Sequence, residues 1–154
     1  MTAPVTASPF DAHISAVTDA GWDGWGRWKE DVPFEQHAGP FYIRRHEDGD
    51  LIGGFIPQDH NCRHGGTVHG GSLLTFADYS LFVIAAEALK GQDGVTVSLN
   101  SEFLSPALPH QRLISRGKVT KAGKRMIFVQ GQIEQEGRPV LAFSGIIAVM
   151  QPKI

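Results

Sequence analysis

The sequence predicts an α+β fold, an antiparallel sheet of about six strands wrapped around one long central helix. Three observations predict it. Between Ser72 and Leu89 nearly every residue is apolar or small, only Asp78 and Glu87 are charged, and neither Gly nor Pro interrupts the run. That run is too long for an ordinary strand, and a helix apolar almost all round needs cover on every side. Downstream, alternating segments are joined by turn signals at Lys121-Ala122-Gly123-Lys124 and at Glu136-Gly137, the pattern of an antiparallel meander. Upstream, Glu47-Asp48-Gly49-Asp50 separates two short apolar segments, as in a β-hairpin.

A chain of 154 residues, 42% hydrophobic and 19% charged, suits one domain with its own core. The net charge of −2 supplies no general attraction to nucleic acid or to an anionic membrane, so neither is expected as a partner. Cys62 is the only cysteine, which excludes an internal disulfide. With no basic region leading into an apolar core near the start, the expected location is the cytoplasm.

The elements follow in order. Met1 to Pro9 is small and polar-leaning, and a frayed start is expected. From Phe10 to Lys29 the residues Ile14, Val17, Trp22, Trp25 and Trp28 are spaced by three or more, which predicts a helical arm broken at Gly21. Residues 1–40 are thus expected to be a helical N-terminal arm of the same unit, with residues 41–154 forming the main domain. Val32 to Ala38 reads as a short helix entering the first strand. Phe41 to Arg45 and Leu51 to Ile56 form the hairpin, and Pro57 to His64 a loop. After the helix, Val95 to Leu104 alternates, with Val95, Val97, Leu99 and Phe103 on the expected buried face. Pro106 and Pro109 end it. Leu113 to Val119, Met126 to Glu134 and Val140 to Met150 complete the sheet.

Asp78 is the anomaly of the central run. A carboxylate among apolar residues persists only if it is hydrogen-bonded, paired or protonated, and such acids are candidates for chemistry as well as for structure. Just upstream, His69-Gly70-Gly71 opens the helix. The first helical turn has N–H groups without intrahelical partners and the positive end of the macrodipole, and glycine lets a carbonyl oxygen approach closely. That combination can make an oxyanion hole. Asp78 lies eight positions after Gly70, roughly 12 Å along the axis, too far for both to act on one carbonyl. If both serve one substrate, they come from two helices, and the simplest source of the second is another copy of the chain. A homodimer with two shared sites is expected.

Two other chemistries were weighed. His60, His64 and His69 suggest a metal, but no carboxylate or second cysteine stands at a zinc spacing, and no metal is expected. Cys62 beside His60 and His64 suggests a thiol nucleophile, but no glycine-flanked elbow or orienting acid accompanies it.

Gly66-Thr67-Val68-His69-Gly70-Gly71, with Asp78 nine positions after the histidine, resembles the hotdog-fold acyl-CoA thioesterases, in particular the phenylacetate-pathway (PaaI-like) group. Gly94-Val95-Thr96-Val97 and Ser105-Pro106-Ala107 extend the likeness, which covers roughly Phe41 to Met150. The resemblance implies a hotdog fold and hydrolysis of acyl-CoA thioesters, with coenzyme A as part of the substrate and no separate cofactor. It implies that Gly70 polarises the thioester carbonyl, that Asp78 of the other subunit is general base or nucleophile, that Thr96 orients water beside it, and that His69 fixes the turn. Gly71 would lie against the substrate. The family's usual Asn falls where this chain has Arg63; Asn61, two residues earlier, or His64 would fill its role. The arm would pack its tryptophans on the body or lid the acyl pocket. Lys121, Lys124 and Arg125 crowd one turn, where they are either a solvated tip or a grip on coenzyme A phosphates, with Lys121 and Arg125 the candidates. The expected assembly is a homodimer or a dimer of dimers. A non-catalytic acyl-CoA sensor and a hotdog hydratase or dehydratase remain as rivals.

Overall fold

The computed structural model describes residues 9–151. In chain order these form β1 (Ile14–Ala16), β2 (Gly26–Trp28), α1 (Pro33–Ala38), β3 (Phe41–Arg45), β4 (Leu51–Phe55), α2 (Gly70–Leu89), β5 (Gly94–Phe103), β6 (Leu113–Ala122), β7 (Met126–Gln135) and β8 (Arg138–Val149). The strands make one antiparallel sheet in the order β1-β2-β3-β4-β6-β7-β8-β5. It curls around α2, the hotdog arrangement.

The expected hairpin is β3–β4, with Phe41 opposite Phe55 and Arg45 opposite Leu51. The expected meander is β6–β7–β8. Its second turn is closed by Gln135 opposite Arg138, with Glu136 at φ 51° and Gly137 at φ 77°. Left-handed backbone at both central positions matches the twist of the flanking strands.

By length and composition α2 could cross a bilayer, but here the sheet covers it. Phe76, Ala77, Leu81, Val83 and Ala85 are fully buried, packed in one core with Phe55, Leu113, Ile133 and Leu141. Each large apolar side chain so buried contributes about 1.5–3 kcal/mol. Two glycines let the helix sink into the sheet. A Cβ on Gly117 would lie 2.7 Å from Ile84, and one on Gly145 would lie 2.5 Å from Leu81. The helix ends on Lys90 in the left-handed region, followed by Gly91, also at positive φ.

Three expectations change. The described residues hold eight strands rather than about six. The additional two, β1 and β2, lie where a helical arm was expected. Trp22 stacks on Tyr42 at 3.8 Å and packs edge-on against Trp25. Both indoles lie over Gly54, where a Cβ would sit 2.6 Å from Trp22 and 2.7 Å from Trp25. Arg112 lies 4.4 Å above Trp22 and donates to the Gly21 carbonyl, and Tyr42 Oη donates to Asp19 at 2.5 Å. The three-residue spacing of the tryptophans therefore reflects a tight turn with Gly21 and Gly24 left-handed, not a helical face. Among the described residues of the arm, Pro33–Ala38 is the α-helix, as expected for residues 32–38, and Pro9–His13 is a short 3-10 turn. The frayed start expected for Met1 to Pro9 lies, up to residue 8, outside the described residues.

The third change concerns β5. Val95, Val97 and Phe103, assigned to the buried face, are 49%, 53% and 56% exposed. A register shift between Thr96 and Ser98 leaves Val97 without a partner in β8. The bulge at Val97 changes the phase of the alternation, so Gly94 and Thr96 are the sheltered positions before it and Leu99 and Ser101 after it, while Phe103 at the strand end stays exposed. Glu87, the other charged residue of the central run, is exposed and pairs with Arg45 of β3 at 2.8 Å.

Candidate active site

The turn before α2 is built by its own backbone. Arg63 N–H donates to Thr67 O at 2.9 Å, and Gly65 and Gly66 hold positive φ in between. Cys62 bridges Val68, and His69 N–H donates to Asn61 O at 2.8 Å. His69 is the N-cap, and its Nδ1 accepts from Gly71 N–H at 2.8 Å. That bond fixes the neutral ring with its proton on Nε2. The Gly71 N–H is therefore occupied. The Gly70 N–H has no partner among the described residues, and it stands at the positive end of a 20-residue helix. A Cβ on Gly70 would meet the Phe103 ring at 3.2 Å, so this donor lies beneath an exposed aromatic side chain.

Asn61 is buried, and both ends of its amide are engaged. Nδ2 donates to Ala38 O at 2.8 Å, and Oδ1 accepts from Gln58 N–H at 2.8 Å. The residue ties the loop to α1. His64 is exposed in the same loop. Burial pushes the Cys62 thiol up, and the Asp59 carboxylate adds to this, which disfavours a thiolate nucleophile.

Asp78 occupies the middle of α2, half-buried, with Thr96 of β5 opposite. Thr96 Oγ1 donates to Asp78 Oδ1 at 2.6 Å. The pair is short and charge-assisted. It holds one carboxylate oxygen and leaves Oδ2 without a hydrogen bond among the described residues. Within one chain, therefore, Asp78 and Thr96 form one group, while Gly70, His69 and Gly71 form another at the helix start. Lys121 is the penultimate residue of β6 and Arg125 precedes β7, both exposed, and no ion pair among the described residues engages either. The Arg125 carbonyl accepts from Val149 N–H at 2.8 Å, which puts this hairpin at the Gly94 end of the sheet.

Sequence reasoning missed Glu35. It sits on α1, which packs against α2. Burial raises its carboxyl to about 7, and the charge of Asp78 adds to the effect. It lines a cavity of about 310 Å³ with Trp28, Val32, Phe82 and Leu89, and a second of about 570 Å³ with Arg27, Phe41 and Tyr79. The only sequence signal was one acid in a six-residue helix, and nothing in the pattern said which surface that helix would cover.

The model of the family described as "Thioesterase superfamily" (4HBT) matches residues 65–142. The chain belongs to the thioesterase superfamily. The match starts at the glycine turn and takes in α2 and the Asp78–Thr96 pair. A Pseudomonas aeruginosa protein named "Putative esterase PA0474" is 34% identical over 115 residues, which are 74% of this chain and 86% of that protein. Solved structures share the fold. The Escherichia coli PaaI protein from the phenylacetic acid degradation operon aligns with a TM-score of 0.68 at 18% identity, over 80% of this chain and 88% of its own. A Streptococcus pneumoniae "Hypothetical Thioesterase Protein with Coenzyme A" aligns with a TM-score of 0.66 at 22% identity, over 77% of this chain and 93% of its own. Membership of this superfamily makes hydrolysis of a thioester the general activity.

Proposed function

We propose that the protein hydrolyses acyl-CoA thioesters to a free acid and coenzyme A, at two sites shared between the subunits of a homodimer. The observation that carries this reading is the Thr96–Asp78 hydrogen bond at 2.6 Å. It fixes an acid in the wall of the fold and leaves one of its oxygens open. The unpartnered Gly70 N–H supplies a matching oxyanion donor, roughly 12 Å away along the same helix, so the donor at each site is Gly70 of the partner subunit. The exposed apolar side chains of β5, an edge strand, supply a surface for that partner.

In this scheme the thioester carbonyl oxygen lies against the partner subunit's Gly70 N–H, where the helix dipole stabilises the developing negative charge. Asp78 Oδ2 accepts a proton from water while Thr96 holds Oδ1. The water oxygen forms the new bond to the carbonyl carbon, the C–S bond breaks, and coenzyme A leaves as a thiolate that takes up a proton. His69 keeps the donor turn in place, and Lys121 and Arg125 face the phosphates of coenzyme A. A structural relative was solved with coenzyme A, which supports that choice of leaving group.

Subunit complementation tests the shared site. Asp78→Asn and Gly70→Val should each abolish thiol release. Co-refolding the two variants gives mixed dimers in which one site has an intact Asp78 and an intact partner Gly70. About a quarter of wild-type turnover should return, because half the dimers are mixed and each has one whole site. No recovery from folded mixed dimers, or turnover in folded Asp78→Asn, would sink the assignment.

A further inference from the structure

The cleft between the N-terminal segment and α2 contains two polar groups that the fold leaves unsatisfied. Tyr79 is 2% exposed, and its Oη has no hydrogen-bond partner among the described residues. Buried hydroxyls are almost always paired, so an orphan of this kind calls for a partner from elsewhere. Tyr79 follows Asp78 in α2 and lines the larger cavity with Glu35, Phe41 and Trp28. The Glu35 carboxyl has no hydrogen bond or ion pair among the described residues either. Glu35 also lines the smaller cavity, where the α2 side is apolar: Phe82, Ala86 and Leu89. Phe82 lies one turn beyond Asp78 on the same helix face, so that cavity begins beside the candidate acid. The two cavities share Trp28, Glu30, Val32 and Glu35, so Glu35 stands at their junction and Tyr79 in the wall of the larger one.

We propose that this cleft receives the acyl group, and that Tyr79 and Glu35 select acyl groups bearing a hydroxyl. The inference rests on the acyl-CoA hydrolysis proposed above. A hydroxyl is donor and acceptor at once. It can donate to the Glu35 carboxyl and accept from Tyr79 Oη, satisfying both orphans with one group. A plain alkyl chain satisfies neither, and a terminal carboxylate brings a further negative charge towards Glu35 and Asp78. The desolvation of Glu35, which lifts its carboxyl to about 7, marks it as a group that gains from a ligand hydrogen bond. Most of the larger cavity's wall comes from residues 15–36, upstream of the matched thioesterase region at 65–142, so the N-terminal segment supplies Glu35 to a surface whose Tyr79 belongs to the common domain.

The test is kcat/KM by thiol release for hexanoyl-CoA, its 4-, 5- and 6-hydroxy analogues, and adipoyl-CoA, in the wild type, Tyr79→Phe and Glu35→Leu. Tyr79→Phe keeps the buried ring, and either variant alone suffices. At least one hydroxy isomer should exceed hexanoyl-CoA by about tenfold or more. Each substitution should bring that ratio towards one, and Glu35→Leu should also narrow the discrimination against adipoyl-CoA. A wild-type ratio near one for all three isomers, or a ratio unmoved in the variants that fold, overturns the inference and leaves thioester hydrolysis standing. A wild type that releases no thiol from any of these substrates or from a wider acyl-CoA panel removes both.

Discussion

Glu35 allows a test that needs no substrate. Its carboxyl is raised from 4.5 to about 7, first by burial and then by the charge of Asp78. A folded-state value above the unfolded one means that the folded protein binds the extra proton. The stabilisation is full below about pH 4.5 and is lost as the pH rises through about 7. At about 1.4 kcal/mol per tenfold change in proton affinity, the ceiling is about 3 kcal/mol. The side chain is only partly buried, and solvent screening reduces this to about 1 kcal/mol. Glu35→Gln keeps the shape and removes the charge. Urea unfolding of both proteins at a fixed protomer concentration, at about pH 4.5 and about pH 8, isolates the difference because the other titrating groups cancel. The variant should gain about 1 kcal/mol on the wild type between the two conditions. An offset that is the same at both ends would refute the account of Glu35 as a desolvated acid beside Asp78.

Three further outcomes follow from the geometry. Thr96→Val removes a hydrogen bond to a carboxylate, worth about 1.5–3 kcal/mol; kcat should fall by about tenfold to a hundredfold, and a fall of less than twofold would leave Thr96 without a role in turnover. Val97→Asp places a charge on the exposed apolar face of β5 and should shift the protein to monomer, with loss of activity, as read by light scattering coupled to size exclusion; an unchanged dimer mass would move the interface elsewhere. Gly54→Ala drives a Cβ to within 2.6 Å of Trp22 and should destabilise by about 1–3 kcal/mol, with a red shift in tryptophan emission as the indoles leave their site; unchanged emission and stability would show that the stack is not tight.

The sequence exposed what depends on local pattern. The uninterrupted apolar run reads as a helix that needs cover on every side, and Glu136-Gly137 reads as a tight turn. The spacing of Gly70 and Asp78 on one helix argues for two subunits from the sequence alone. Other features needed tertiary knowledge. Trp22, Trp25 and Trp28 show a helix-like spacing, but Gly54 in β4 offers a flat seat that no reading of the N-terminal segment alone reveals. The β5 alternation reads correctly as a strand, but one bulged residue changes its phase, so Val95 and Val97 lie exposed while Leu99 keeps its place against the core. Glu35 could not be found, since its meaning depends on which helix it faces. Asn61 was singled out for its type, and the structure gives its amide to Ala38 and Gln58.

The two margins of the sheet are unequal. At one end β1 is three residues long and follows a short helical turn, which offers little backbone for another strand to add to. At the other end β5 runs for ten residues, and among the described residues no strand pairs with its outer side. Once two such open margins meet about a two-fold axis, each consumes the other and only sealed margins remain. Lateral growth then stops at a pair, and any larger assembly has to stack through faces instead of extending as a fibre.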